Sequence, residues 1–362
     1  MSLSLFRKKT LVGLDLGHHT MKAVMMERGG TGWKLTKVVS LPTPPDAIRE
    51  GVVVDQEAVA GAIRQLMKKS HIGATSAIIS VAGASVVVRT VRIPKMPEAT
   101  LRKSIKFEAG RYVPTSVEDS LIEFEILGPA DDNQMDVLIV AAPKDIVESR
   151  VSACKLAGLE VEVVDIEPFA AFRALVEADP QFELENLTIA VIDIGAYTTN
   201  VSVISKGVFS MTRSINQGGA MLTKELISYF DLSPEDAESG KSQLDLRDLL
   251  DETKPLENPP LRVIQPHVDE LIREIRRSLN YYQSQQTEGG QPNPVTSVLV
   301  CGGGAKLSGL PDYIAHKLEM IVTSAGVFEN PRFVYAGTDE LGAGTELAVA
   351  SGLAMRAFTK AA

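Results

Sequence analysis

An α/β protein of two lobes, related by internal duplication and interrupted by a small inserted α/β unit, is what this 362-residue chain predicts. Three observations carry that expectation. A strand, an Asp-x-Gly turn and a second strand at residues 12–22 return at 190–200 with the same arrangement. Much later a strand enters the glycine run Gly302-Gly303-Gly304. Between the two copies, residues 86–165 follow an element order found nowhere else in the chain.

Composition sets the bounds. Single cores seldom grow past about 250 residues, so two or three domains are expected. Hydrophobic content of 44% with 23% charged residues is ordinary for a folded chain. A net charge of −9 argues against nucleic acid or an anionic membrane surface as the main partner. Cys154 and Cys301 lack disulfide or thiolate-metal spacing and are expected to be buried and inert. Leu3, Leu5 and Phe6 precede Arg7, Lys8 and Lys9 in a run too short for a signal peptide. No apolar run approaches the roughly 20 residues needed to span a bilayer. A cytoplasmic protein is the expectation, with residues 3–9 as a minor candidate for membrane or partner contact.

Taken in order, residues 11–16, 21–27 and 33–41 read as strands, with Gly29-Gly30 as a turn. Val59, Ile63, Leu66 and Met67 recur at helical spacing behind Asp55, a residue suited to cap a helix at 55–69. Residues 77–81 form a continuous apolar strand, the pattern of a strand covered on both faces. Then come a strand (86–93), a helix (98–112), two strands (121–127, 135–142), a helix (145–157) and a strand (159–165). Pro97 and Pro143 stand at the helix starts. This is the order of a ferredoxin-like two-layer unit, read as an insertion whose last strand is open to sharing with the parent sheet. A helix over 168–178 precedes a boundary at 180–186, after which strands at 187–194, 200–205 and 207–213 repeat the opening. Helices follow from Gly218-Gly219 and from Ser233-Pro234, the latter with a capping arrangement to Asp236. Residues 244–260 are acidic and proline-containing and read as a loop. An amphipathic helix (263–283), a connector (289–294), a strand (297–301) and an alanine-rich helix (345–358) complete the chain.

The chemistry lies in the turns. Asp15-Leu16-Gly17-His18-His19-Thr20 can aim consecutive backbone N–H groups at phosphate oxygens, with Gly17 permitting close approach. Asp15 suits Mg²⁺ held through water, and Lys22 suits a β- or γ-phosphate. An isolated Asp-x-Gly turn is usually only a turn. Asp193-Ile194-Gly195-Ala196-Tyr197-Thr198-Thr199 repeats the pattern, and two such turns from two halves make a polyphosphate clamp. The run Gly302-Gly303-Gly304-Ala305-Lys306-Leu307 lets backbone lie flat against an adenine or an α-phosphate. Two decoys fail: Ser239-Gly240-Lys241-Ser242 lacks the first glycine of a P-loop, with Glu235 in its place, and Leu307 breaks a dinucleotide fingerprint.

These ordered motifs resemble the phosphate-1, phosphate-2 and adenosine motifs of the actin-like ATPase superfamily, a duplicated ribonuclease H-like fold. More closely, Arg92-Ile93-Pro94-Lys95-Met96-Pro97, Asp165-Ile166-Glu167-Pro168, Asn216-Gln217-Gly218-Gly219 and Gly352-Leu353-Ala354-Met355-Arg356 resemble the PilM family of type IV pilus assembly, itself similar to the division protein FtsA. The resemblance implies an actin-like two-lobed fold with a PilM/FtsA-type inserted subdomain. Residues 10–85 with 166–186 would form subdomain 1A, 86–165 the inserted 1C, 187–217 with 295–362 subdomain 2A, and 218–294 subdomain 2B.

It further implies ATP with Mg²⁺ on Asp15 and Asp193, and slow hydrolysis at most. Gly218, Gly219, Glu225, Glu238 and Lys241 would face the nucleotide. Gly303, Gly304, Lys306 and Leu307 would line the adenine pocket, and Glu167 would position the attacking water. His18 and His19 stand where small residues are common in the family, which bears on turnover more than on binding. The implied partner is the cytoplasmic N-terminal peptide of the inner-membrane protein PilN, with Ile93, Leu101 and Ile105 as groove candidates. The pilus motor ATPase and platform proteins are further implied partners. Location would be peripheral to the inner membrane through partners, in a pilus or related type II secretion apparatus. A polymerising FtsA-like division protein is the alternative, disfavoured because the chain ends soon after Met355-Arg356 with no tethering helix. An actin-fold sugar or acid kinase is a weaker one, since no acceptor pocket is legible.

Overall fold

The computed structural model describes residues 10–30, 32–113, 116–251, 253–286 and 293–359. Residues 3–9 and most of the expected 289–294 connector lie outside the described residues.

The chain opens with β1 (Leu11–Leu16), β2 (Thr20–Gly29) and β3 (Gly32–Pro42), then the hairpin β4 (Ile48–Arg49) and β5 (Val52–Val53), helix α1 (Gln56–Lys69) and β6 (Ser76–Val81). Asp55 caps α1 as its position predicts, accepting the Ala58 N–H at 2.9 Å and satisfying one free donor of the first turn. There follow β7 (Val87–Pro94), α2 (Glu98–Ala109), β8 (Ser120–Pro129), β9 (Gln134–Pro143), α3 (Lys144–Leu156) and β10 (Glu160–Ile166).

The element order of the insertion is as the sequence predicts, and the place of its last strand, open in the sequence, is settled by pairing. The inserted sheet has three strands, β7-β9-β8, covered by α2. β10 instead pairs in parallel with β6, in the sheet that holds β1. Ala153 and Cys154 of α3 pack with Ile63 and Leu66 of α1 and Leu159 in one cluster. A strand-helix-strand-strand-helix-strand order is silent on which sheet its last strand joins. The apolar surface of α3, which needs α1, decides it.

The second half contains α4 (Glu167–Phe172) with a π turn at Arg173–Glu177, then β11 (Thr188–Ile194), β12 (Thr199–Ser205), β13 (Val208–Ile215), α5 (Gly219–Phe230) and α6 (Pro234–Ser242). Next are α7 (Lys254–Glu257), α8 (Pro259–Gln286), β14 (Ser297–Cys301), α9 (Leu310–Leu318), β15 (Val322–Ser324), β16 (Phe333–Tyr335) and α10 (Ala348–Arg356). The stretch 244–260, read as a loop, is largely helical: a 3₁₀ turn at Leu246–Leu250, then α7 and the start of α8. Leu246, Leu249 and Leu261 are buried in the second-lobe core, which outweighs the local acidic and proline signals.

Sheet order displays the duplication directly. The first sheet runs β10-β6-β1-β2-β3-β16 and the second β13-β12-β11-β14-β15. With β1 set on β11, β2 on β12, β3 on β13, β6 on β14 and β10 on β15, both orders and all strand senses coincide. Only β16 departs, crossing over to pair in parallel with β3 at the edge of the first sheet.

Between the sheets lie α4, its π turn and α10, sharing one core with Val24 and Ile78 of the first sheet and Val191 and Leu299 of the second. Gly352 makes this layer possible, because a Cβ there would overlap the Ala170 carbonyl of the crossing helix. Arg173 of the π turn is locked in the same layer, ion-paired with Asp165 at 3.0 Å and donating to the Gly352 carbonyl at 2.9 Å. The outer faces are covered by α1 and α3 on one lobe and by α5, α8 and α9 on the other.

Candidate functional site

β1 and β2 pair so that Asp15 lies opposite Lys22. The Lys22 ammonium donates to Asp15 Oδ2 at 2.8 Å, with both side chains mostly buried. β11 and β12 pair with the same offset, so that Asp193 lies opposite Asn200. Equal offsets follow from equal turns. In both, a Cβ on the glycine would press on a threonine carbonyl, at 2.7 Å from Thr20 O for Gly17 and 2.9 Å from Thr198 O for Gly195. The asparagine that replaces lysine in the second copy spans the lobes: Asn200 Nδ2 donates to Glu167 Oε2 at 3.5 Å while its Oδ1 accepts from Ser214 at 2.6 Å.

Both turns open into one cleft of about 980 Å³, at the upper end of the roughly 300–1,000 Å³ common for small-molecule sites. Asp15, Gly17, His18, His19, Thr20 and Lys22 line one side, and Asp193, Gly195, Ala196, Tyr197 and Thr198 the other. Gly218 and Gly219 open α5 into it, Glu238 and Lys241 reach it from α6, and Gly302, Gly303, Gly304, Lys306 and Leu307 line it after β14. Glu167, first residue of α4, is also in the wall. Gly302 has φ 87°, and a Cβ there would overlap Asp193 Oδ1, so the backbone after β14 is pressed against the second-copy carboxylate.

Two of the expected nucleotide residues do not line the cleft. Thr199 is buried, its hydroxyl donating to the Gln217 carbonyl at 2.8 Å, where it braces the 216–218 turn. Glu225 points from α5 to His267, 3.6 Å away. The groove candidates are corrected as well: Ile93, Leu101 and Ile105 are 2%, 0% and 6% exposed, in the core between α2 and the inserted sheet. Their apolar spacing is consumed by that packing and leaves no surface for a peptide.

The cleft is short of positive charge. Burial, then the neighbouring Asp15, pushes the Glu167 carboxyl up to about 7, with Asp193 adding to the effect and Arg150 and Lys22 opposing it. Asp193 is pushed up to about 6 by burial and by Asp15. Burial works against the charge of Lys22, but Asp15, through its field and its hydrogen bond, outweighs it and raises the Lys22 pKa, aided by Asp193 and Glu167. His18 is lowered to about 4, by burial first and by the Arg150 charge second, against the pull of Asp15. It is a neutral imidazole at pH 7. At the far wall Lys241 donates to Glu238 Oε2 at 2.7 Å and to Thr223 at 2.9 Å. Lys306 pairs with Glu346 at 2.9 Å.

Sequence reasoning missed several residues that hold or line the wall. Thr43 donates to the Gly17 carbonyl at 2.6 Å, holding the first turn from β3, and carries no local signal. Asn200 was detectable as the repeat partner of Lys22. Arg150 was detectable as a charge on the apolar side of a helix, between Val147 and Cys154.

The sequence model of the family described as Type IV pilus assembly protein PilM matches residues 13–358. The chain belongs to that family. It is therefore a type IV pilus assembly protein of the PilM family with the actin-like ATPase fold. The structure of a PilM–PilN type IV pilus biogenesis complex contains a chain similar to it, with a TM-score of 0.84 and 26% identity over 97% of this chain and 99% of the other. The ethanolamine utilization protein EutJ from Carboxydothermus hydrogenoformans shares the fold, at a TM-score of 0.56 and 18% identity over 95% of this chain and 88% of that one. Cell division protein FtsA of Bacillus subtilis is 22% identical over 64% of this PilM-family chain, a match spanning 57% of the FtsA length. FtsA of Streptococcus pneumoniae is 20% identical over 91% of this chain and 79% of its own. Among the described residues no helix is long and apolar enough to cross a membrane.

Proposed function

We propose that the cleft binds ATP with Mg²⁺ and that nucleotide state sets the angle between the lobes, and with it the surface offered to pilus partners. The observation that carries this reading is the matched pair of turns, Asp15 opposite Lys22 and Asp193 opposite Asn200, on one cleft. The polyphosphate would lie between the turns, on their backbone N–H groups, with Lys22 near its terminal groups. The adenine would lie against Gly303, Gly304 and Leu307, and the ribose beside Glu238 and Lys241.

The donor set fits a hard divalent cation. Three carboxylates surround Lys22 here, and two of them are held back from full ionisation by burial first and by the neighbouring Asp15 charge second. Among the described residues no group of three or more His, Cys, Asp or Glu is placed to grip a metal by itself, which suits an ion that keeps its waters. Asp15 and Asp193 would hold Mg²⁺ through those waters, and the ion would supply charge neutralisation to the phosphates. Glu167, hydrogen-bonded from Asn200, would orient a water, and His18 and His19, which line the same cleft, would crowd it. Binding with slow turnover is the reading that follows.

The partner we infer is the cytoplasmic N-terminal peptide of an inner-membrane PilN-type protein, supported by the likeness to a PilM–PilN complex. The inserted subdomain would carry that contact, in a peptide-on-sheet or peptide-in-groove mode. A route from cleft to insertion exists in β13. Its start rests on the insertion, with Thr90 donating to the Phe209 carbonyl at 2.9 Å, and on α4, where the Phe169 ring lies 4.5 Å from Phe209 with the planes tilted by 54°. Its end runs into the 216–219 segment of the cleft wall. Lobe rotation would be carried along this strand.

Calorimetry of Mg-ATP with Asp15→Ala and Asp193→Ala tests the clamp. Loss of binding is expected, and unchanged affinity would sink it. A pull-down with synthetic N-terminal peptides of inner-membrane partners, with and without ATP, tests the scaffold role. The FtsA likeness sustains a second reading, a polymerising protein, which filaments pelleting with lipid and ATP would favour.

A further inference from the structure

Among the described residues two arginines are buried, and their surroundings differ. Arg173 is ion-paired with Asp165. Arg150, only 1% exposed, donates solely to neutral carbonyls: Nε to Gly51 at 3.0 Å, Nη1 to Leu16 at 3.3 Å and to Ser80 at 3.1 Å. Among the described residues Nη2 has no acceptor. An interior guanidinium without a directly bonded anion is costly.

The position of Arg150 shows where that anion would sit. Leu16 is the residue between Asp15 and Gly17, so the guanidinium lies against the first turn. It also lines the first-lobe end of the cleft, together with Gly51 and with Ala82, Gly83 and Ser85 of the loop after β6. Glu50, exposed, is an acidic residue at this end, and the buried Glu167 carboxyl lies within the field of Arg150 without a hydrogen bond to it. None of these residues belongs to either turn or to the glycine run. Arginine presents its donors in a planar fork matched to phosphate oxygens, and its charge persists at any working pH.

We propose that Arg150 and the 82–85 loop form a phosphate subsite beside the first turn, taking either free inorganic phosphate or the terminal phosphate of a bound nucleotide. The nucleotide arm of this inference rests on the ATP reading of the cleft, and the free-phosphate arm does not. Arg150 thereby does two things: it pins the ends of β1 and β6 and the β4–β5 turn through its carbonyl contacts, and it offers its remaining edge to the ligand.

The test titrates inorganic phosphate into the nucleotide-free full chain by calorimetry, and measures ATP and ADP affinities separately. Arg150→Met is expected to weaken phosphate at least tenfold, with Arg150→Lys in between, since charge is kept and the fork lost. Ser85→Glu leaves the carbonyl contacts of Arg150 in place and adds a like-charged rim, so it is expected to weaken phosphate as well. It decides the matter if Arg150→Met fails to fold. A fall of fivefold or more in the ATP-to-ADP affinity ratio with these variants assigns the subsite to the terminal phosphate. An unchanged ratio with lost phosphate binding assigns it to free phosphate. Phosphate binding equal in wild type and variants, or absent from wild type with an unchanged ratio, overturns the subsite. Failure of wild type to bind ADP and ATP removes the nucleotide reading and leaves the phosphate titration to decide.

Discussion

His18 and Tyr197 face each other across the cleft, ring centroids 5.7 Å apart and planes tilted by 59°. His18 is the first residue after the glycine of the first turn and Tyr197 the second after the glycine of the other. Their proximity brings the duplicated turns to opposite walls of one site. An aromatic pair contributes about 0.5–1.5 kcal/mol, and Tyr197 is 59% exposed, which places this pair at the low end. A double-mutant cycle with His18→Gln and Tyr197→Ala in urea denaturation should return a coupling of about 0.5 kcal/mol. Zero coupling would mean that the rings do not meet in solution.

The pH response of the nucleotide-free protein should have two opposed parts. Glu167 and Asp193, raised to about 7 and about 6 from 4.5 and 3.8, bind protons in the folded state that the unfolded chain has already released. Their contribution to stability is full at low pH and is lost as pH rises through about 6 to 7. His18, lowered to about 4 from 6.5, acts the other way: its contribution is full above 6.5 and is lost as pH falls toward 4. Thermal unfolding of Glu167→Gln and His18→Gln across pH 4 to 8 separates the two. Glu167→Gln should flatten the loss on the alkaline side and His18→Gln the loss on the acid side. Parallel curves for wild type and Glu167→Gln would refute the crowded-carboxylate picture.

Gly302→Ala should be harmful twice over. A left-handed backbone strains a non-glycine residue by about 1 kcal/mol or more. The new Cβ would overlap Asp193 Oδ1 and push that carboxylate out of place. Reduced stability in denaturant with Mg-nucleotide affinity down about tenfold is the expected pair of results. Gly303→Ala is the control for stability alone, because a Cβ there meets no protein atom within 4 Å, while its place beside the proposed adenine keeps it out of the affinity comparison.

Phe209→Ala should loosen the insertion from the second lobe. Its ring packs on Phe169 and Phe172 of α4 at 4.5 and 5.2 Å and against the cluster that holds Val88 and Leu138 of the inserted sheet. Being only part-buried, it should lose about 2 kcal/mol, less than the about 3–5 kcal/mol of a fully buried phenylalanine. Under the coupling proposed for β13, hydrogen exchange in 87–94 would cease to respond to nucleotide. A response identical to wild type would exclude β13 as the route.

Much of the fold was legible because its signals are local. Residues 11–16 and 297–301 were bounded correctly by their apolar runs, and Asp55 and Ser233 announced helix starts by chemistry that acts within one turn. The repeat from Asp15 to Asp193 exposed the duplication, and both carboxylates line the same cleft. What was misread depended on distant partners. The 244–260 stretch is helical because Leu246 and Leu249 reach the second-lobe core, and Ile93, Leu101 and Ile105 are packing residues because α2 lies on the inserted sheet.

By itself, the sequence determined the two Asp-x-Gly turns, the glycine run after β14, the element order and the family resemblance, all of which live in residue types at short spacing. Tertiary structure alone decided that β10 belongs with β6, that Thr199 braces a turn instead of facing the cleft, and that Arg150 stands among carbonyls beside Leu16. The reason is physical: turn geometry and hydrophobic period are set within a few residues, whereas strand partners and the fate of a buried charge are set by whichever groups the fold brings from far along the chain.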